Sequence, residues 1–266
     1  MSLLNDLTLG QYLPIDSPVH RLDPRTKLCG TLVIMAALML VNNLWVYVPI
    51  CIWMGIIVHL SLLPFATVLK NIRAFRWLLM ITFFAHALFT PGMTLEIAGY
   101  QNPWITQEGI EQGALFTARL TAIMVTAAIL TLTTAPIEVA DGLESLLKPF
   151  KRIGVPAHEL AMMMVIALRF IPTLVEEADR LQKAQIARGA DFSGNPIRRA
   201  RKMMALLIPL MISAFRRADE LAVAMEARCY RGGTGRTQFR ELFLTYRDYL
   251  AMAMILMMIA IGWLMI

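Results

Sequence analysis

The sequence predicts an all-α integral membrane protein with about five transmembrane helices and a cytoplasmic domain of long amphipathic helices. Three observations carry that prediction. Of 266 residues, 58% are apolar and only 17% charged, against about 45–50% and about 25% in soluble domains. Several apolar runs approach or reach the ~20 residues that cross a bilayer. Basic residues gather on alternate connections, as Lys and Arg do on the cytoplasmic side of a membrane. Disorder, collagen and a disulfide scaffold are excluded, because polar tracts, a Gly repeat and Cys density are missing. Cys29, Cys51 and Cys229 show no metal or disulfide spacing. Residues 1–27 are polar, contain Pro14, Pro18 and Pro24, and lack the apolar core and cleavage site of a signal peptide. The first apolar run is therefore expected to be a retained span.

Leu28–Trp45 and Tyr47–Leu63 are the first two spans, joined by the polar turn Asn42-Asn43. Trp77–Thr90 is a shorter third, ending at Pro91-Gly92. Ala114–Thr134 is the fourth and Tyr249–Ile266 the last. Residues 1–27 carry Arg21, Arg25 and Lys27, the second connection Lys70, Arg73 and Arg76, and residues 137–248 hold 18 basic residues. That puts 24 of 25 basic residues on one side, so the N-terminus is expected in the cytoplasm and the C-terminus outside. Four segments result: an N-terminal segment 1–27, spans over 28–136, a cytoplasmic domain 137–248 and a C-terminal span 249–266. Arg119, five residues into the fourth span, reads as snorkelling to the outer interface; a polar pathway is the alternative. His59 and His86 lie in spans without a second His or a carboxylate one helical turn away, which argues against a metal or proton-relay site.

Residues 137–248 are too apolar for a loop and too charged for spans. Pro136 suits the first turn of a helix running to Phe150, which Pro149 and Gly154-Val155-Pro156 break. A second helix starts near Ala157 and continues past Pro172 to Arg188, where Gly189 supplies a stop. Asn195-Pro196 reads as N-cap and first turn of a third, reaching Arg228 with a kink at Pro209. Residues 231–237 read as loop. The apolar blocks Leu160–Leu168 and Met203–Phe215 are short for a ~30 Å hydrocarbon core. They read as helices lying along the inner membrane face or against another apolar protein.

An internal repeat marks these two helices. Ala178-Asp179-x-Leu181-x-x-Ala184-x-x-Ala187-Arg188 recurs forty residues on as Ala218-Asp219-x-Leu221-x-x-Ala224-x-x-Ala227-Arg228. Each copy lays small residues along one helix face and ends in an Arg followed by Gly189 or Cys229. A single last-turn Arg is explained by the helix dipole. Two matched copies suggest two equivalent receiving pockets, and hence a partner present as a pair of similar subunits. A guanidinium is suited to carboxylates and carbonyls in such pockets. Met162, Met163, Met164, Met203, Met204 and Met211 concentrate in the two apolar blocks, together with Leu207. Met adapts to irregular partners, so these blocks read as a binding platform. No Walker A, HExxH, GxSxG or Cys-His metal pattern is present; neither an enzyme nor an ATPase is expected. Residues 137–248 set 13 acidic against 18 basic residues, a balance that fits the cytoplasmic side of a membrane better than nucleic acid.

The sequence resembles the transmembrane (T) component of energy-coupling factor transporters, related to the membrane subunit of cobalt importers. The motifs Ala187-Arg188-Gly189 and Ala227-Arg228-Cys229 carry the resemblance, with His20-Arg21-Leu22-Asp23-Pro24-Arg25-Thr26-Lys27-Leu28 before the first span. Cys229 departs from the Gly common in that family. The resemblance implies a scaffold in a prokaryotic cell membrane, seated on two ATP-binding-cassette ATPases. Each of the two tips would dock into one ATPase, and the cytoplasmic helices would cradle one or more small S components that bind a vitamin or metal. ATP would sit on the partners, with no cofactor on this chain. The rival readings are a self-contained permease, which wants polar or broken spans, and an enzyme on lipid-linked substrates, for which Asp141, Glu144 and His158 are the candidates.

Overall fold

The computed structural model describes residues 12–97, 100–190, 196–232 and 243–264. Among them, helices α1 (Pro24–Leu40), α2 (Tyr47–Leu60), α3 (Phe65–Ala74), α4 (Arg76–Phe89), α5 (Gln107–Thr133), α6 (Pro136–Leu147), α7 (Ala157–Ala187), α8 (Pro196–Ala227) and α9 (Tyr246–Leu264) dominate. The chain divides into two compact units, one formed by Gly10–Gly142 and Leu242–Ile266, the other centred on Leu143–Glu241.

In the first unit, Asp23 caps α1 by accepting from the Arg25 amide at 2.9 Å, with Pro24 in the first turn. Pro has no amide to leave unpaired there. The helix stops at Leu40 because Val41 turns extended. This corrects the first expected span: Trp45 belongs to a short 3-10 turn, Leu44–Val46, that leads into α2. A core joins Ile34 and Leu38 of α1, Val46 of the turn, Tyr47, Ile50 and Met54 of α2, Ala122 of α5 and Met258 of α9. A second cluster of Val58, Leu63, Val68 and Leu132 seats α3 beside α5.

Three features of this unit were not foreseen. α3 is an amphipathic helix in what reads as a charged connection, and it meets α4 at a 57° bend. Thr94–Ile97 and Tyr100–Thr106 form an antiparallel two-stranded hairpin in an otherwise helical fold. α5 also begins earlier than expected, and its first turns carry Gly109 and Gly113. A Cβ on Gly113 would lie 2.9 Å from the Phe83 carbonyl, and one on Gly109 2.9 Å from that of Ala87. Small residues one turn apart thus let α4 and α5 approach backbone to backbone. His86 of α4 stacks on Phe116 of α5, with ring centroids 4.2 Å apart.

One end of this unit is tied by buried polar groups. Lys27 donates to the carbonyls of His20 (2.9 Å) and Thr133 (3.0 Å), the latter at the C-terminus of α5. Asp248 is buried and accepts from the amides of Asp23 and Thr245, both at 2.8 Å, so it starts α9 and holds it to the start of α1. His20 sits between the carbonyl of Leu13 and the hydroxyl of Ser17. A carbonyl only accepts, so Nε2 carries the proton and Nδ1 accepts from Ser17. Burial pushes the His20 imidazole below its ordinary range.

The second unit is built on α7 and α8. α7 runs unbroken for 31 residues through Pro172. By length and composition α5 and α7 can each cross a membrane, as can the bent α3–α4 pair taken as one. For α7 this departs from the expected surface-lying block, because its apolar character extends beyond Leu168 through Ile171, Leu174 and Val175. α8 is a 32-residue helix with Pro209 inside it, beginning at Pro196 as expected; Asn195 lies outside the described residues. The helix expected to reach Phe150 ends at Leu147 and tightens into a 3-10 segment, Lys148–Ile153.

Candidate functional site: the paired helix tips

α7 and α8 end in the same way. At the first tip the Gly189 amide donates to the Ile186 carbonyl (2.9 Å) and the Ala190 amide to that of Gln185 (2.9 Å). At the second, Cys229 donates to Glu226 (2.8 Å) and Tyr230 to Met225 (3.0 Å). Both are Schellman closures, which satisfy the last helix carbonyls through one residue in the left-handed region. Gly189 takes it at φ +87° and Cys229 at φ +58°. Glycine adopts that region freely, whereas a side chain costs roughly 1 kcal/mol there. Even so, Cys229 keeps the closure intact.

The exposure of the two tips also matches. Residues 184–190 and 224–230 follow one pattern, with Gln185 and Met225 half-buried and Ala187, Arg188, Gly189, Ala227, Arg228 and Cys229 exposed. Each tip therefore presents a guanidinium beside a rigid turn, preceded by small side chains. Such a group gives directional, charge-assisted hydrogen bonds to a carboxylate or carbonyl.

The methionine-rich blocks divide. Met163, Met204, Leu207 and Met211 are exposed, whereas Met162 and Met164 are half-buried; the Met203 side chain lies outside the described residues. On α8 the exposed apolar stripe is wider than its methionines, because Ile208, Ile212 and Phe215 continue it. Spacings of three and four residues put them on one face, a signal the sequence held but the methionine count obscured.

Arg119 does not reach out to an interface. It is buried, and its Nη2 donates to the Val41 carbonyl (2.6 Å) and the Asn42 side chain (3.2 Å). Its Nε donates to the Tyr47 hydroxyl at 3.3 Å, and that hydroxyl donates to the Leu38 carbonyl at 3.0 Å. The guanidinium also lies over Phe116, 4.9 Å from the ring centroid. It closes the end of α1 in place of a capping residue. Glu144 and His158 do meet, at 3.1 Å, and the contact fastens the end of α6 to the start of α7.

Known proteins match nearly the whole of this chain. The family described as cobalt transport protein matches residues 16–239. The energy-coupling factor transporter transmembrane protein EcfT of Thermanaerovibrio acidaminovorans is 47% identical over 98% of this chain and 96% of its own length. Its counterpart in Heliobacterium modesticaldum is 50% identical over 93% and 92%, and that of Bacillus subtilis 43% identical over 92% and 93%. The chain is thus a membrane-located transporter component, not an enzyme. The chain belongs to the family of energy-coupling factor transporter transmembrane proteins, whose role is that of an energy-coupling scaffold within a multi-subunit transporter.

Proposed function

We propose that this chain carries ATP-driven motion from two ATP-binding-cassette subunits, one on each helix tip, to a membrane-embedded S component that binds a vitamin or metal. Arg188 and Arg228 are the coupling contacts; Ala187 with Gly189, and Ala227 with Cys229, shape the tips. The carrying observation is the identity of the two Schellman-closed ends forty residues apart. One exposed Arg needs no partner, but two built alike fit a pair of like receptors. The exposed stripe of α8, with Met163 of α7 and its half-buried neighbours Met162 and Met164, supplies the S-component platform; Met203 completes the block in sequence. ATP stays on the partner subunits and this chain binds no cofactor. The charge distribution supports a cytoplasmic N-terminus and an external C-terminus.

The test is purification of the tagged chain from its native cells in a gentle detergent, with copurifying proteins identified by mass spectrometry. Two stoichiometric ATP-binding-cassette subunits and one or more small hydrophobic proteins are expected. A chain that purifies alone, while other membrane complexes in the same extract stay whole, overturns the proposal.

A further inference from the structure

Three charged positions at and beside the repeat invert between its two copies, while Asp179 and Asp219, like Arg188 and Arg228, keep their sign. Glu176 and Glu177 of α7 correspond to Arg216 and Arg217 of α8, and Arg180 corresponds to Glu220. One of these matched positions is in contact with its own counterpart: Arg217 Nη2 lies 3.5 Å from the Glu177 carboxylate, with both side chains partly buried, 36% and 26% exposed. The helices therefore meet at one pair of equivalent positions. Two copies of like charge would have set carboxylate against carboxylate there. The inversion turns the same meeting into an attraction and disfavours either copy pairing with another like itself.

The position of this contact gives it leverage. Each tip lies about 17 Å beyond it at about 1.5 Å per residue, so a change of about 10° in the crossing moves a tip by about 3 Å. We infer that the Glu177–Arg217 pair is the positioning contact that sets the crossing of α7 and α8, and through it the separation of Arg188 from Arg228. This rests on the proposed docking of the tips for its effect on transport, but not for its effect on geometry.

The test uses the full chain in its purified complex. Spin labels on Cys229 and on Ala190→Cys, in a Cys29→Ser, Cys51→Ser background, report the tip separation; unlabelled protein in proteoliposomes reports uptake per ATP hydrolysed. Arg217→Glu is expected to shift or broaden the distance by several ångströms and lower uptake per ATP about threefold or more. Glu177→Arg combined with Arg217→Glu is expected to restore both. Should Arg217→Glu fail to fold, Arg217→Gln removes the attraction without adding like charge and is read in the same way. An unchanged distance in the single variant, or a double swap that rescues nothing, overturns the inference. A distance that moves and is rescued while uptake per ATP stays at the native value supports the positioning role, and it is the docking of the tips that then falls.

Discussion

The two units of this chain handle polar groups in opposite ways. In the unit formed by Gly10–Gly142 and Leu242–Ile266, Lys27, Asp248 and Arg119 are buried and answered by carbonyls, amides and a hydroxyl of the chain itself. In the unit centred on Leu143–Glu241, the buried side chains among the described residues are alanines, Ala157 and Ala161, whereas Arg188 and Arg228 stand exposed on rigid ends. The first unit answers these three charges from within. The second leaves Arg188, Arg228 and the apolar stripe of α8 exposed. Stability should therefore reside in the one and transport coupling in the other, and substitutions can separate them.

The largest effect expected is on transport. If the tips dock as proposed, Arg188→Ala with Arg228→Ala removes two charge-assisted contacts worth about 1.5–3 kcal/mol each, and uptake into proteoliposomes should fall to background. The thermal midpoint of the isolated chain in detergent should stay where it was; a clear drop would break the comparison, because it would make the tips part of the chain's own packing. Arg119→Met is the converse. It leaves the Val41 carbonyl and Tyr47 hydroxyl without their buried donor and should cost about 3 kcal/mol or more, read as a lower midpoint and a loss of monodisperse protein.

Smaller effects sharpen the contrast within the second unit. Gly189→Ala puts a side chain at φ +87° and should destabilise the first tip by about 1 kcal/mol, whereas Cys229→Gly should relieve the second by up to about 1 kcal/mol. Amide hydrogen exchange at Ala190 and Tyr230 measures both; equal and unchanged protection would refute the assignment of strain to Cys229. The last prediction concerns pH. His20 is held neutral in the folded chain, its pKa lowered chiefly by burial. Its contribution is complete above the unfolded value of about 6.5 and is lost as pH falls from there through the lower folded value. The midpoint should drop on mild acidification, and less so in His20→Gln; an equal drop in both would remove His20 as the cause.

The tips were legible in the sequence because a Schellman closure is local: an alanine stripe, an Arg and a Gly lie within one turn of each other, and the repeat doubled the signal. α3 was not, because Lys70 and Arg73 made Phe65–Ala74 read as a connection, although Val68 and its neighbours pack it beside α5. Arg119 was read from its own neighbours as reaching outward, whereas its partners, the Val41 carbonyl, the Asn42 side chain and the Tyr47 hydroxyl, lie more than 70 residues away in the chain. Asp248 lies 225 residues from the amide it holds. Contacts of that kind follow from the packing of helices and have no counterpart in local spacing. Cys229 stands between these cases, since its position was plain and its left-handed backbone was not.

Arg119 also bears on how the chain is made. The turn between α1 and α2 leaves the ribosome first, with the carbonyl of Val41 still open, and the guanidinium that answers it follows 78 residues later. Until α5 arrives, the turn between α1 and α2 is unfinished, and water must serve as the donor to that carbonyl. A nascent chain arrested before Arg119 carries two helices that have met but are not yet locked, so the order of synthesis writes a dependence of the earliest pair of helices on one of the later ones.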